Sequence, residues 1–509
     1  MEIFQGLLLG FSVATTLQNL LMAFFGAVIG TLVGIMPGLG ASATIAILMP
    51  LTFSLNPASA IIMMAGIYCG SKYGGAVTSI LMNIPGESSS VTTCLDGYQL
   101  AMQGRGGPAL GMAAISSFVA GTASVVGLTF LGPFLSSMAM GFGPPEYFAM
   151  ALMGLSLVTS LTGKSVIKGV LCTFLGLIIA VVGADIMSGS SRLTFGRLEL
   201  LDGIDFVTVS VGLFALGEVL LNIDQQLQFT AVKVPRRISL LLPSIRDIVQ
   251  CFGTWVRSSV IGFFIGALPG TGATVASFLS YAVAKNFSKT PDMFGKGAME
   301  GVAASEAADN AATGGSMAPM LTLGIPGSSA TAMMMGALVM AGVRPGPMLL
   351  TKSPEVFWGV VASMYIANIM LLIINLPLIP VLVQFLRIPY YVLYIVIIAI
   401  CSIGVYSVDN SVFDLWVMGI FGVVGYVFKK LDYPLAPVVL ALILGPFVER
   451  ALRQSLIMSK GSPDIFLTRP VCMVFLVLAI LAFFAPWLQQ LWLTHSKSRL
   501  AQNILEEEK

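Results

Sequence analysis

A chain of 509 residues in which 56% are hydrophobic and only 10% charged cannot cover itself with the surface of a soluble protein, where roughly a quarter of residues carry charge. A mean hydropathy of +0.92 assigns it to the lipid bilayer instead. The formal charge of +2, with no block of basic residues, excludes a nucleic-acid partner.

The opening Met1-Glu2-Ile3-Phe4 lacks the positive stretch and small-residue cleavage site of a secretory signal, so it is read as a mature end. A bilayer span needs about 20 mainly apolar residues. Windows of that kind fall near 17–36, 41–66, 109–133, 146–162, 166–184 and 205–222. A second group falls near 248–268, 271–284, 355–380, 389–404, 412–428, 434–448 and 470–492. The fold expected is an all-α polytopic membrane protein of about 12 transmembrane helices.

Between the groups lies the most polar internal stretch, with Lys233, Arg236, Arg237, Arg246 and Asp247. Positive residues in a short loop favour the cytoplasmic side. The expected organisation is a first transmembrane repeat over 1–230, a basic cytoplasmic linker over 231–247, a second repeat over 248–460, and a C-terminal helix with a charged tail over 461–509. Six cysteines without CxxC spacing argue against a disulfide framework or a metal site and are expected to be small buried hydrophobes.

The repeat is written in three ordered phrases. Gly34-Ile35-Met36-Pro37-Gly38-Leu39-Gly40-Ala41 returns as Gly266-Ala267-Leu268-Pro269-Gly270-Thr271-Gly272-Ala273. Asn83-Ile84-Pro85-Gly86-Glu87-Ser88-Ser89-Ser90 is echoed by Gly324-Ile325-Pro326-Gly327-Ser328-Ser329, and Arg105-Gly106-Gly107-Pro108 by Arg344-Pro345-Gly346-Pro347. The offsets are 232, 241 and 239 positions. The parity of spans in each repeat, which decides between parallel and inverted topology, is not countable from these windows; transporter architecture favours inversion.

Each repeat carries a broken or re-entrant segment, 66–108 and 303–347. In the first, Gly70-Ser71-Lys72-Tyr73-Gly74-Gly75 opens the segment, Pro85-Gly86 breaks it, and a hydroxyl run follows. Proline removes a backbone donor and glycine admits left-handed dihedrals, so the helix ends and frees amides and carbonyls. Freed amides at a half-helix N-terminus suit an anion, and freed carbonyls with hydroxyls suit a hard cation. The substrate-binding candidates are Lys72, Asn83, Pro85, Gly86, Ser88, Ser89, Ser90, Pro326, Gly327, Ser328, Ser329 and Thr331. Asn83, Asp309, Asn310 and Thr313 are candidates for a coupling cation, and Pro37, Gly38, Pro269 and Gly270 for hinges or scaffold kinks. The plainer reading competes: Pro and Gly are frequent in membrane helices, and small residues there allow close packing. Its weight falls because the break, the hydroxyls and the Arg-Gly-Pro marker occur together twice.

Intramembrane charges are costly unless paired or functional. Lys72 supplies a positive charge to an anion or snorkels to an interface. Glu87 and Asp96 are expected to pair with Lys72 or Arg105. Glu306 lies on the same run as Asp309 and Asn310, or in an exposed loop. Lys285, Lys289 and Lys296 read as a solvated loop.

Enzymatic chemistry is not supported. Thr162-Gly163-Lys164-Ser165 has Val158 where a phosphate-binding loop needs its first glycine. His495, in the tail, is the single histidine, which removes a buried Ser/His pair and an HExxH site. Nothing around Asp185 and Asp205 supports an aspartic protease.

With Gly34 to Ala41, Gly70 to Gly75, Asn83 to Ser90, Asp96-Gly97-Tyr98-Gln99 with Gly104 to Pro108, the Glu306 to Gly315 run and Gly324 to Ser329, the chain resembles the large membrane subunit of the tripartite tricarboxylate transporter family over nearly its whole length. The resemblance implies a multi-pass protein of the bacterial inner (cytoplasmic) membrane that imports carboxylates such as citrate, coupled to a Na⁺ or H⁺ gradient. It also implies a small membrane subunit and a periplasmic substrate-binding protein as partners. No cofactor is expected, no metal beyond Na⁺, and a homo-oligomer stays open. An uncoupled anion channel and a scaffold without transport are the alternatives.

Overall fold

The computed structural model describes residues 2–36, 39–161, 165–185, 187–225, 240–270, 272–385 and 390–484. The expected hinge residues Pro37 and Gly38, residues 162–164 of the phosphate-loop-like phrase, the cations Lys233, Arg236 and Arg237, and the tail with His495 lie outside the described residues. The protein is almost wholly helical. In chain order the helices are α1 (Ile3–Ala14), α2 (Leu17–Ile35), α3 (Ala41–Thr52), α4 (Pro57–Met82), α5 (Val91–Leu100), α6 (Gly106–Ala139), α7 (Pro144–Leu161), α8 (Val166–Val181), α9 (Phe206–Ser210) and α10 (Gly217–Gln225). They continue with α11 (Ile245–Ala267), α12 (Gly272–Phe287), α13 (Met299–Leu323), α14 (Ser329–Met340), α15 (Leu349–Lys352), α16 (Pro354–Phe385), α17 (Tyr390–Asp409), α18 (Val412–Lys430), α19 (Ala436–Met458) and α20 (Ile465–Thr468). A further apolar helix covers Pro470–Phe484, and a two-residue hairpin pairs Gly183–Ala184 with Ser191–Arg192.

Among the described residues, six helical stretches are long and apolar enough to cross a membrane, and six shorter apolar helices accompany them. The apolar window 41–66 is not one helix. The chain turns after Thr52, and the Asn56 side chain accepts the Ser59 amide to cap α4, with Pro57 in the first turn, where its missing N–H costs nothing. All six cysteines are buried and free, as small hydrophobes.

The run Gly70 to Gly75 does not open a break; it lies inside α4. These glycines serve packing. A Cβ on Gly26, Gly30 or Gly34 of α2 would strike the carbonyls of Met63, Ile67 and Ser71, and one on Gly70 or Gly74 of α4 would strike those of Ala27 and Thr31. Two helices with small residues every fourth position approach backbone to backbone, which strengthens dispersion where lipid removes the hydrophobic drive. The same contact recurs in α11 and α13: Gly262 and Gly266 meet Ala308 and Ala312, and Gly315 meets the Phe263 carbonyl.

Helix α6 has 34 residues, about 50 Å at 1.5 Å per residue, and ties the two halves together. Near its first turn Arg105 donates to Asp247 at 2.9 Å, and Gly107 and Gly111 pack on the backbone of Leu240 and Leu241. Near its far end Ser136 donates to the Pro347 carbonyl at 2.8 Å.

Candidate functional site

Two helices end in the same way. Helix α4 stops at Asn83 in a left-handed conformation (φ 58°), and the Ile84 amide folds back onto the Thr78 carbonyl at 3.5 Å. Helix α13 stops at Gly324 (φ 73°), with the Ile325 amide on the Pro319 carbonyl at 3.2 Å. Pro85 and Pro326 follow, with no amide to continue either helix. Gly86 and Gly327 then pass so close to α2 and α11 that a Cβ would overlap the Gly34 carbonyl oxygen in one case and lie 2.7 Å from that of Gly266 in the other. Each chain restarts behind a cap: the Glu87 amide donates to Ser90 Oγ at 3.2 Å, and the Ser328 amide to Thr331 Oγ1 at 2.9 Å.

The restarted segments open onto one cavity of about 930 Å³. Five helix N-termini line it, one of them the start of α19 at Leu435 and Ala436. Gly40, Ala41 and Ser42 begin α3; Ser88 and Ser89 lead into α5; Gly272, Ala273 and Thr274 begin α12; and Ser328, Ser329 and Ala330 begin α14. The first amides of a helix have no intrahelical acceptor, and the aligned peptide dipoles leave roughly half a positive charge at each N-terminus. Hydroxyls cross between the halves: Ser42 Oγ lies 2.7 Å from Ser329 Oγ, and Ser88 Oγ lies 2.9 Å from Thr274 Oγ1. The break of each half is thus tied to the helix start of the other.

One carboxylate of the chain already uses this geometry. Glu87 Oε1 accepts the Ala41 amide at the start of α3, at 2.9 Å. Its other oxygen takes the Lys72 ammonium at 2.5 Å. Lys72 is 5% exposed, also meets Asp309 Oδ1 at 3.1 Å, and donates to Ser89 Oγ at 3.1 Å. One ammonium faces two carboxyl groups, a formal charge of −1 at this wall with both ionised. Tyr68 completes it, its hydroxyl 3.2 Å from Ser316 and 3.1 Å from Ser328. The lining also carries a second ion pair, Glu218 on α10 with Lys429 on α18.

Of the residues expected to bind substrate, Lys72, Gly86, Ser88, Ser89, Pro326, Gly327, Ser328 and Ser329 line this cavity, as does Gly270. Ser90 and Thr331 act as caps behind it. Asn83 is exposed at the end of α4, away from the cavity lining. Asp309 reaches the site through Lys72, whereas Asn310 turns to Ser117 Oγ at 2.8 Å and Thr313 to the Asp309 carbonyl at 3.5 Å. Asp96 pairs with neither Lys72 nor Arg105. It accepts the amides of Gly295, Gly297 and Ala298 and the Tyr281 hydroxyl, pinning the loop before α13. Glu306 is not in an exposed loop but fully buried in α13, between Thr93 at 2.5 Å and Ser117 at 3.5 Å. Lys285, Lys289 and Lys296 are exposed, but Lys285 lies in the last turn of α12 rather than in a loop.

Sequence reasoning did not single out Tyr68, Ser42, Thr274, Glu218 or Lys429. A signal existed for the last two, an acid and a base inside apolar stretches. Ser42 and Thr274 lie immediately after the first break phrase, where they are ordinary helix-start residues until the fold brings the other half's hydroxyls against them.

The model of the tripartite tricarboxylate transporter TctA family matches residues 20–440. An uncharacterized 52.8 kDa protein in the TAR-I ttuC' 3' region of Agrobacterium vitis is 43% identical over 471 residues, covering 92% of this chain and 93% of that protein. An uncharacterized protein in the TAR-II ttuC' 3' region of the same organism is 46% identical over 210 residues, 41% of this chain and 87% of that protein. No solved structure matches. Both the family match and the first relative run through the two breaks and the cavity between them, and the chain belongs to the tripartite tricarboxylate transporter TctA family.

Proposed function

We propose that this chain is the large membrane subunit of a secondary transporter that imports citrate-like di- and tricarboxylates across the bacterial inner membrane. It works by alternating access coupled to a Na⁺ or H⁺ gradient, with a small membrane subunit and a periplasmic binding protein that delivers the substrate. The observation that carries this reading is the meeting of five helix N-termini in one cavity. Convergent amides and positive dipole ends suit carboxylate oxygens, and Glu87 on the Ala41 amide is an internal example.

The charge balance supports coupling. A polyanion entering beside the Lys72–Glu87–Asp309 group meets a net negative wall, so a cation bound with it lowers the cost of occupying a low-dielectric site. Asp309, buried and met by Lys72 on one oxygen, is the side chain best placed for that cation. In this reading Asn83 ends α4, while Asn310 and Thr313 are held by partners inside the helix packing rather than by the substrate.

An inverted relation between the halves has two supports. Arg105 lies at the first turn of α6, while the segment of its counterpart Arg344 reaches the far end of the same helix through Pro347. Helices α4 and α13 also meet in opposite order, Tyr68 with Ser316 and Lys72 with Asp309. Two half-sites related in this way can exchange exposure to the two faces. The Pro269–Gly270 bend, where Gly270 (φ 85°) donates to the Gly327 carbonyl at 3.3 Å, joins the first and second breaks of its half as a hinge.

The test is radiolabelled uptake into proteoliposomes with imposed Na⁺ or pH gradients, over a panel of di- and tricarboxylates with the delivering protein present. Accumulation above the external concentration is the expected result. Flux that only equilibrates identifies an uncoupled anion channel, and no specific flux identifies a scaffold; either outcome refutes the proposal.

A further inference from the structure

Resting on that reading, we infer that Lys429 is the recognition point for a second carboxylate of the substrate, with Glu218 as the counter-ion that holds its place when the cavity is empty. Both side chains line the same cavity as the helix N-termini. They are largely withdrawn from solvent, 22% exposed for Lys429 and 13% for Glu218.

The two lysines of the cavity are not equivalent. Lys72 is held between Glu87 and Asp309 and by Ser89, so its charge is more than matched before any substrate arrives. Among the described residues Lys429 has one carboxylate partner, Glu218. An incoming carboxylate that takes the Glu218 position leaves the charge count at Lys429 unchanged and exchanges one ion pair for another. The neighbouring Lys430 points elsewhere, to Asp224 at 2.9 Å and Tyr426 at 2.8 Å on an exposed surface. Of this Lys-Lys pair, only Lys429 faces the cavity.

The chemistry follows from two kinds of anion partner lining one cavity. One carboxylate of a flexible diacid sits among the N-terminal amides, and the second meets an ammonium. A monocarboxylate makes only the first contact. The ligand class is therefore an aliphatic acid with two or more carboxylates, and Lys429 sets that requirement. Lys429 binds; Glu218 is a positioning residue that competes with the substrate for it.

Competition gives the two partners opposite effects, which a purely structural ion pair would not do. Inhibition of labelled citrate uptake by succinate and by its monoamide, succinamate, is compared in proteoliposomes. Lys429→Gln is expected to lower the succinate-to-succinamate preference about tenfold or more, the worth of one charged hydrogen bond. Glu218→Gln is expected to lower the KM for the diacid by removing the competitor. Lys429→Arg keeps the preference above that of Lys429→Gln. Lys429→Cys, treated with a reagent that attaches an ethylammonium group, regains the preference, which gives a readout independent of folding differences between variants.

A loss of diacid affinity in Glu218→Gln as large as in Lys429→Gln makes the pair structural and overturns the inference, as does an undiminished preference in Lys429→Gln. If the wild type takes up no carboxylate, the transport reading falls and this assignment with it. If the wild type transports normally and only the two variants fail to diverge, this assignment alone is lost.

Discussion

Lys72→Met isolates the energetic logic of the site. Methionine fills nearly the same volume and removes one charge from a position that is 5% exposed. The substitution strips Glu87 of its contact at 2.5 Å and Asp309 of its contact at 3.1 Å. Glu87 keeps the Ala41 amide at 2.9 Å. Asp309 keeps less, with only the Ser89 hydroxyl left beside its carboxylate among the described residues. Removing one member of a buried ion pair costs about 3–5 kcal/mol, mostly because the remaining charge stays desolvated. A loss of about that size is expected in unfolding experiments in mixed detergent micelles followed by tryptophan fluorescence. Lys72→Met/Asp309→Asn deletes the most exposed consequence, the uncompensated Asp309 charge, and is expected to recover more than half of the loss while uptake stays absent. A single variant within about 1 kcal/mol of wild type, or a double variant no better than the single, would refute the view that this triad is a desolvated, mutually dependent unit.

Three further tests address the breaks and the topology. Gly86→Ala places a Cβ against the Gly34 carbonyl and 2.6 Å from Gly75 Cα, both backbone, and should destabilise by about 1–3 kcal/mol; Gly75→Ala, with its nearest neighbour the Ser90 hydroxyl at 3.4 Å, should be nearly silent in the same unfolding assay. Equal effects would mean that the break is not closely packed. Replacing Ser88–Ser90 or Ser328–Ser329 by alanine should abolish uptake with membrane insertion intact, and Ser42→Ala with Ser329→Ala should be non-additive by about 0.5–1.5 kcal/mol through their 2.7 Å contact; full uptake in the run variants sinks the site. Single cysteines at Arg105 and Arg344, both exposed, should react with an impermeant maleimide from opposite faces, against the low background of six buried native thiols. Labelling from one face rules out inversion.

Much of the site was legible before any coordinates. The Pro85-Gly86 and Pro326-Gly327 breaks follow from local chemistry, since proline ends a helix and glycine lets the chain pass a neighbour. The hydroxyls after each break were legible as caps and ligands for the same reason. Less legible was what lies between. Gly70 to Gly75 looks like a break because a run of small residues has the same composition whether it ends a helix or allows two helices to touch; only the Gly-to-carbonyl contacts with α2 distinguish the cases. Asp96 looked like a candidate for Lys72 or Arg105, and its actual partners are three backbone amides some 200 positions away in sequence.

By itself the sequence determined the medium, the helical class, the doubled phrases and the places where helices stop, because each depends on composition or on a few adjacent residues. The tertiary structure decided which of those stops meet at one cavity, that Lys72 is shared by Glu87 and Asp309, and that Glu218 and Lys429 line the same cavity. The physical reason is that a charge or a hydroxyl acquires its role from what lies within about 4 Å of it, and in this chain many of those neighbours lie far away in sequence, several in the other half.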